Sequence, residues 1–135
     1  MINRISGECL CGSVKFSVAE EFDAFYLCHC EQCQKITGSA FAANIITKPE
    51  NITWVAGEKF ISKYRHPSRD FSKSFCKKCG SGLPYINTSA TSLVIPAGSL
   101  SGPLTTAPQG QVFISESPNW LPQGLDSKSF KGFAK

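Results

Sequence analysis

The sequence predicts a mainly β fold, on three observations. Short runs of alternating apolar and polar residues recur along the chain, 11 Gly and 8 Pro interrupt it with turns, and only one stretch has a helix-compatible composition. At 135 residues, 41% of them hydrophobic, the chain suits a single domain over residues 1–135 with an ordinary packed core.

Taken in order, Val14, Phe16 and Val18 alternate with polar neighbours and predict the first strand, with a second around Phe22 to Leu27. Glu31 to Thr37 is the helix-compatible stretch, and Gly38 is placed to end it after a turn or two. Strand patterns return at Ile45 to Trp54, Phe60 to Tyr64 and Phe71 to Phe75. Shorter candidates are Leu83 to Ile86, Leu93 to Ile95 and Val112 to Ile114, bounded by Gly, Pro, Ser and Thr clusters. Between the last two, Gly98 to Gly110 carries Pro103, Thr105, Thr106 and Pro108 and reads as a surface connection. No internal repeat or low-complexity tract stands out.

The N-terminal run from Met1 to Leu10 has one cation and no apolar core, so it does not read as a secretory signal, and a cytoplasmic protein is expected. Phe41 to Ile46, the most apolar stretch, is far shorter than the roughly 20 residues a membrane crossing requires, so no membrane span is expected. The formal charge of +4 counts every cysteine as neutral. Seven ligating thiolates and two zinc ions would bring it to about +1, and no Lys/Arg stripe interleaved with aromatics appears, so no nucleic-acid partner is expected.

Seven cysteines in a chain without an export signal argue against a disulfide framework, because reducing compartments keep thiols free and an odd count leaves one unpaired. Metal ligation or catalysis is the better reading. Cys9-Leu10-Cys11-Gly12 and Cys76-Lys77-Lys78-Cys79-Gly80 each offer two closely spaced thiolates followed by a glycine that can relieve a tight backbone. Together they predict one tetrahedral four-cysteine structural zinc site. Binding energy at such a site is folding energy, so loss of any of these thiolates is expected to unfold the domain.

Cys28-His29-Cys30-Glu31-Gln32-Cys33 differs, with three thiolates inside six residues and no assigned fourth ligand. Structural zinc sites are closed by four protein ligands, whereas catalytic ones keep an exchangeable position. An open, catalytic zinc site at Cys28, Cys30 and Cys33 is therefore expected. The alternative is that His29, or a residue from elsewhere, closes it. Since His29 sits between two ligands, its side chain is expected to turn away from an ion that both neighbours grip.

Other candidates have ordinary explanations. His66 lies in a turn-like segment and reads as a solvated loop residue. Lys77 and Lys78 can offset thiolate charge. Ser39 could donate to a bound thiol or simply follow a helix stop, and Trp120 could be core or pocket wall; both stay open.

Three segments, Gly7 to Phe16, Cys28 to Phe41 and Phe75 to Ser81, together resemble the glutathione-dependent formaldehyde-activating enzyme family, also called the centromere protein V family. The resemblance continues through Val112 to Leu121 and Gly124-Leu125, and so spans roughly Gly7 to Phe133. It implies the β-tent fold of small twisted antiparallel sheets. It also implies a structural zinc on Cys9, Cys11, Cys76 and Cys79 and a second zinc on Cys28, Cys30 and Cys33, agreeing with the spacing.

The activity it implies is that of a carbon–sulfur lyase, forming or cleaving a thiol–aldehyde adduct such as S-hydroxymethylglutathione. The substrates would be glutathione or a similar thiol and formaldehyde or another aldehyde, with the thiol held as a thiolate by the second zinc. A zinc-stabilised binding scaffold or a glutathione carrier is the competing expectation.

Overall fold

The structure, a computed structural model, describes residues 2–134. It is mainly β and built from three small sheets. In the first, β1 (Arg4–Glu8), β2 (Lys15–Ala19) and β5 (Ile52–Ala56) run antiparallel in the order β1-β2-β5. Phe16 and Val18 of β2 are fully buried while Lys15 faces solvent, as the pleat of a strand requires. The Phe16 ring meets Trp54 of β5 edge-on, with centroids 5.6 Å apart.

The second sheet contains β3 (Ala24–Cys28), β4 (Ala42–Thr47), β9 (Tyr85–Ile86), β10 (Leu93–Pro96) and β11 (Gly110–Val112), in the order β11-β3-β4-β10-β9. Its pairings are antiparallel except that of β11, which runs parallel to β3 and sets Val112 beside Cys28. In the third, β6 (Ile61–Arg65), β7 (Ser72–Cys76) and β8 (Gly82–Leu83) are antiparallel. Ile5, Phe16 and Val18 from the first sheet, Ile45, Leu93 and Ile95 from the second, and Cys76 and Leu83 from the third meet in one apolar cluster. Each large side chain buried there contributes roughly 1.5–3 kcal/mol, so every sheet is held by the other two.

Helix α1 (Glu31–Thr37) stands where the composition put it. Gly38 closes it in the left-handed conformation at φ +66°, its N–H donating to the carbonyl of Gln34 at 2.8 Å, a conformation that favours glycine. A second helix, α2 (Leu121–Leu125), escapes sequence reading because it is five residues long and contains both Pro122 and Gly124. Proline is tolerated there because the first turn has no intrahelical use for its missing N–H.

Other departures trace to single residues. The pattern from Ile45 to Trp54 is two strands in different sheets, parted by a 3-10 turn at Pro49–Asn51 where proline cannot donate to a ladder. Leu83 to Ile86 is likewise divided at Pro84: β8 pairs with β7 and β9 with β10. Strand β1 lacks a run of apolar residues, since only Ile5 is a large one; Gly7 is required because the Phe16 ring occupies the space its Cβ would fill. Val112 to Ile114 is shifted to Gly110–Val112, because Phe113 turns left-handed at φ +55° and ends the pairing. Gly98 to Gly110 has no strand until Gly110 and is largely exposed from Ser101 to Gln109.

Candidate metal centres and functional site

Two groups of sulfurs emerge from this framework. The turn after β1 carries Cys9 and Cys11, and the end of β7 with the turn after it carries Cys76 and Cys79. Their four Sγ atoms lie within 4.8 Å of one another. Cys9 and Cys11 are 3.6 Å apart at sulfur and Cys11 and Cys76 3.8 Å. A tetrahedron with metal–sulfur bonds of about 2.3 Å has edges of about 3.8 Å, so this cluster fits a four-thiolate metal centre.

The surrounding backbone favours thiolates. Val14 N donates to Cys9 Sγ at 3.3 Å, and Leu10 N donates to Ser81 Oγ at 2.9 Å, which in turn lies 3.2 Å from Cys79 Sγ. Hydrogen bonds from Ser81 hold the Cys79 thiol down at about 5, and those from Ser13 lower that of Cys11. Burial pushes Cys76 the other way.

The second group is Cys28, Cys30 and Cys33, again with sulfurs within 4.8 Å of one another. Cys28 is the last residue of β3, fixed between Ala42 of β4 and Val112 of β11. Cys30 is the N-cap of α1, its Sγ accepting from Cys33 N at 3.3 Å, and Cys33 is the helix's buried residue. Among the described residues no fourth Cys, His, Asp or Glu ligand atom joins the three. Burial raises the thiols of Cys28 and Cys33, and neighbouring thiols raise Cys33 further, well above the ordinary range.

His29 is turned elsewhere. It is buried, its ring packs on Phe41 with centroids 5.1 Å apart, and its Nε2 lies 2.9 Å from Gln111 Oε1. Its backbone N–H donates to the Val112 carbonyl at 3.0 Å. Gln34 Nε2 donates to the carbonyls of His29 and Glu116 at 2.7 and 2.9 Å, and the Glu116 carboxylate caps the N–H of Glu31 at 3.0 Å. The three-cysteine loop is thus clamped by the segment after β11.

Among the remaining candidates, His66 accepts through Nδ1 from the backbone of Ser68 and Arg69, a turn-stabilising role. Lys78 sits over the Phe60 ring at 4.4 Å. Ser39 is exposed, and Trp120 is more than half exposed and so not core.

Two residues that sequence reading passes over lie close to the second cluster. Lys73 of β7 is buried, and burial lowers its pKa while the charge of Cys33 opposes that shift. Tyr85 of β9 lies under it, ring centroid 5.4 Å from Nζ, and burial followed by the charges of Cys33 and Cys28 pushes its phenol up to about 12. A signal for Lys73 exists: it is the middle member of a Phe71, Lys73, Phe75 alternation, where a core residue is expected. A cleft of about 680 Å³ runs past the four-cysteine group and the last turn of α1; its walls include Cys9, Ile36, Thr37, Lys73, Ser81 and Ser99, and none of Cys28, Cys30 and Cys33.

Two comparisons with known proteins return a match. The sequence model of the glutathione-dependent formaldehyde-activating enzyme family matches residues 4–116. A crystal structure of a Rhodobacter sphaeroides protein, determined in a structural genomics programme, superposes with a TM-score of 0.63 at 19% identity, covering 80% of this chain and 100% of that one. At that identity the likeness is one of fold. Among curated protein sequences no significant match is found.

Proposed function

The chain belongs to the glutathione-dependent formaldehyde-activating enzyme family, and from that premise we propose that it is a zinc-dependent carbon–sulfur lyase. It forms or cleaves the adduct between a small thiol, glutathione or one like it, and an aldehyde such as formaldehyde. The single observation that carries this reading is the three-sulfur cluster that no fourth Cys, His, Asp or Glu ligand atom joins among the described residues.

In this reading the domain spans residues 1–135 and acts in the cytoplasm. Cys9, Cys11, Cys76 and Cys79 hold a structural zinc, and Cys28, Cys30 and Cys33 hold the catalytic one. When bound there, zinc would take the substrate sulfur at its remaining position and keep it a thiolate at neutral pH.

The chain's own contribution is to fix three corners and leave one open. Strand pairing on both sides of Cys28 and the N-cap bond between Cys33 N and Cys30 Sγ hold the loop rigid. Gln111 and Ser117 occupy both ring nitrogens of His29, at 2.9 and 3.4 Å, which keeps the imidazole from closing the site. In the forward direction the thiol S–H breaks, a C–S bond forms at the carbonyl carbon, and the proton ends on the former carbonyl oxygen. The reverse breaks C–S and returns thiol and aldehyde.

Zinc-edge X-ray absorption of the two-zinc protein, with and without glutathione, tests this. The expected result is that one of the two zincs passes from three sulfur neighbours to four. No change with glutathione, cysteine or 2-mercaptoethanol would defeat the proposal.

A further inference from the structure

Lys73 is 9% exposed, and among the described residues no carboxylate lies within ion-pair distance of it; the pairs that form are Lys15 with Glu8 and Arg69 with Glu31. A buried ammonium without a carboxylate partner is costly, and the charge of Cys33 and the Tyr85 face 5.4 Å away offset only part of that. Its path is shaped for it. A Cβ on Gly82 would stand 3.1 Å from Lys73 Nζ and 3.3 Å from Cε, so the chain end lies across a strip of backbone that glycine leaves bare.

Lys73 and Gly82 lie on the wall of the 680 Å³ cleft that runs past Cys9, a volume within the roughly 300–1,000 Å³ typical of small-molecule sites. The other charged side chain on the wall, Glu8, is neutralised by Lys15 at 3.0 Å. The hydroxyls there are committed: Thr37 Oγ1 donates to the Cys33 carbonyl and Ser99 Oγ to the Pro96 carbonyl, both at 2.7 Å, while Ser81 Oγ accepts from Leu10 N at 2.9 Å and lies 3.2 Å from Cys79 Sγ. Lys73 is therefore the one cation among the described residues of this wall, and the negative charge that acts on it is that of Cys33, not a carboxylate. The cleft lies along the last turn of the helix that holds Cys33.

We infer that Lys73 is the carboxylate anchor of this cleft, a positioning residue that selects an amino-acid or peptide thiol by its negative charge. The anchoring rests on the cleft alone; the delivery of the ligand's sulfur to the Cys28, Cys30, Cys33 centre rests on the function proposed above.

Calorimetric binding to the zinc-loaded protein separates the two, using glutathione, its diethyl ester and S-methylglutathione. The free acid should bind about 10- to 100-fold more tightly than the ester, the span expected of a hydrogen bond to a charged group. Lys73→Met should reduce the acid to the ester's affinity and leave the ester's unchanged, while Lys73→Arg retains most of the preference. S-methylglutathione, which has no free thiol, should show the same dependence on Lys73. Equal binding of acid and ester to the wild-type protein would overturn the inference even if Lys73→Met failed to fold, and so would an equal loss of both ligands in that variant. Should glutathione ligate the zinc without any preference for the acid, the anchor fails and the proposed function stands. With a Lys73-dependent carboxylate preference but no sulfur ligation, the anchor stands and the proposed function fails.

Discussion

His29 and Gln111 are joined side chain to side chain, Nε2 to Oε1 at 2.9 Å, although 82 residues separate them. Because a carbonyl oxygen only accepts, this bond puts the imidazole proton on Nε2 and leaves Nδ1 to accept from Ser117 Oγ at 3.4 Å. The loop bearing three cysteines is thereby tied to a strand contributed from near the other end of the chain. Gln111→Leu keeps the bulk but leaves a buried N–H without a partner, which should cost about 1–3 kcal/mol. Urea denaturation measures that loss, and competition with a chromophoric chelator should show weaker metal retention at the Cys28, Cys30, Cys33 site. A variant as stable as the parent would show that the imidazole finds water instead.

The two cysteine groups should respond differently to the same substitution. Cys76 is fully buried at the end of β7, and its group joins the turn after β1 to the turn after β7, so Cys76→Ser is expected to unfold the domain. Cys30 is partly exposed at a helix N-cap, and serine is itself a good N-cap, so Cys30→Ser should leave a folded protein with one zinc and no thiol-dependent activity. Circular dichroism and zinc analysis of both variants check this. Global unfolding of Cys30→Ser would contradict the division of the cysteines.

Sequence and structure agree most closely where spacing is short-range. Cys9 with Cys11, Cys28 through Cys33 and Cys76 with Cys79 are local patterns whose chemistry needs no tertiary knowledge, and the Glu31–Thr37 helix with its Gly38 stop is equally local. What the sequence hides depends on partners far along the chain. β1 is a strand because Phe16 packs where Gly7 has no side chain, and the end of the buried Lys73 side chain lies across the bare backbone of Gly82. The stretch from Ile45 to Trp54 reads as one strand because the alternation passes over Pro49, yet its halves serve different sheets. The parallel pairing of β11 with β3 has no local signal, since Val112 and Cys28 become neighbours only in the fold.

Acid should empty the two centres in order. A thiol must lose its proton to bind metal, so the higher its pKa, the earlier metal is lost as pH falls. Burial raises Cys28 and Cys33, whereas hydrogen bonds from Ser81 hold Cys79 at about 5 and those from Ser13 lower Cys11, with buried Cys76 the exception in its group. Metal should therefore leave the three-cysteine site at higher pH than the four-cysteine site, and the fold should survive the first release. A pH titration with a metal indicator, followed in parallel by far-ultraviolet circular dichroism, reads both steps. Simultaneous release at one midpoint would refute the order.

Tyr85 should titrate late. Its phenol is pushed from the ordinary 10 up to about 12, first by burial and then by the negative charges of Cys33 and Cys28. The folded chain thus keeps this proton longer than the unfolded one, so the stability it contributes is fully present below pH 10 and is lost as pH rises through 12. The Tyr85 phenol should show its 295 nm absorbance rise with a midpoint near 12, and Tyr85→Phe should remove that component. The same variant should flatten the fall of stability between pH 10 and 12, because the group that releases its proton on unfolding is gone. A Tyr85-dependent component with its midpoint near 10 would mean that water reaches the Tyr85 hydroxyl, and that the floor beneath Lys73 is wetter than its packing indicates.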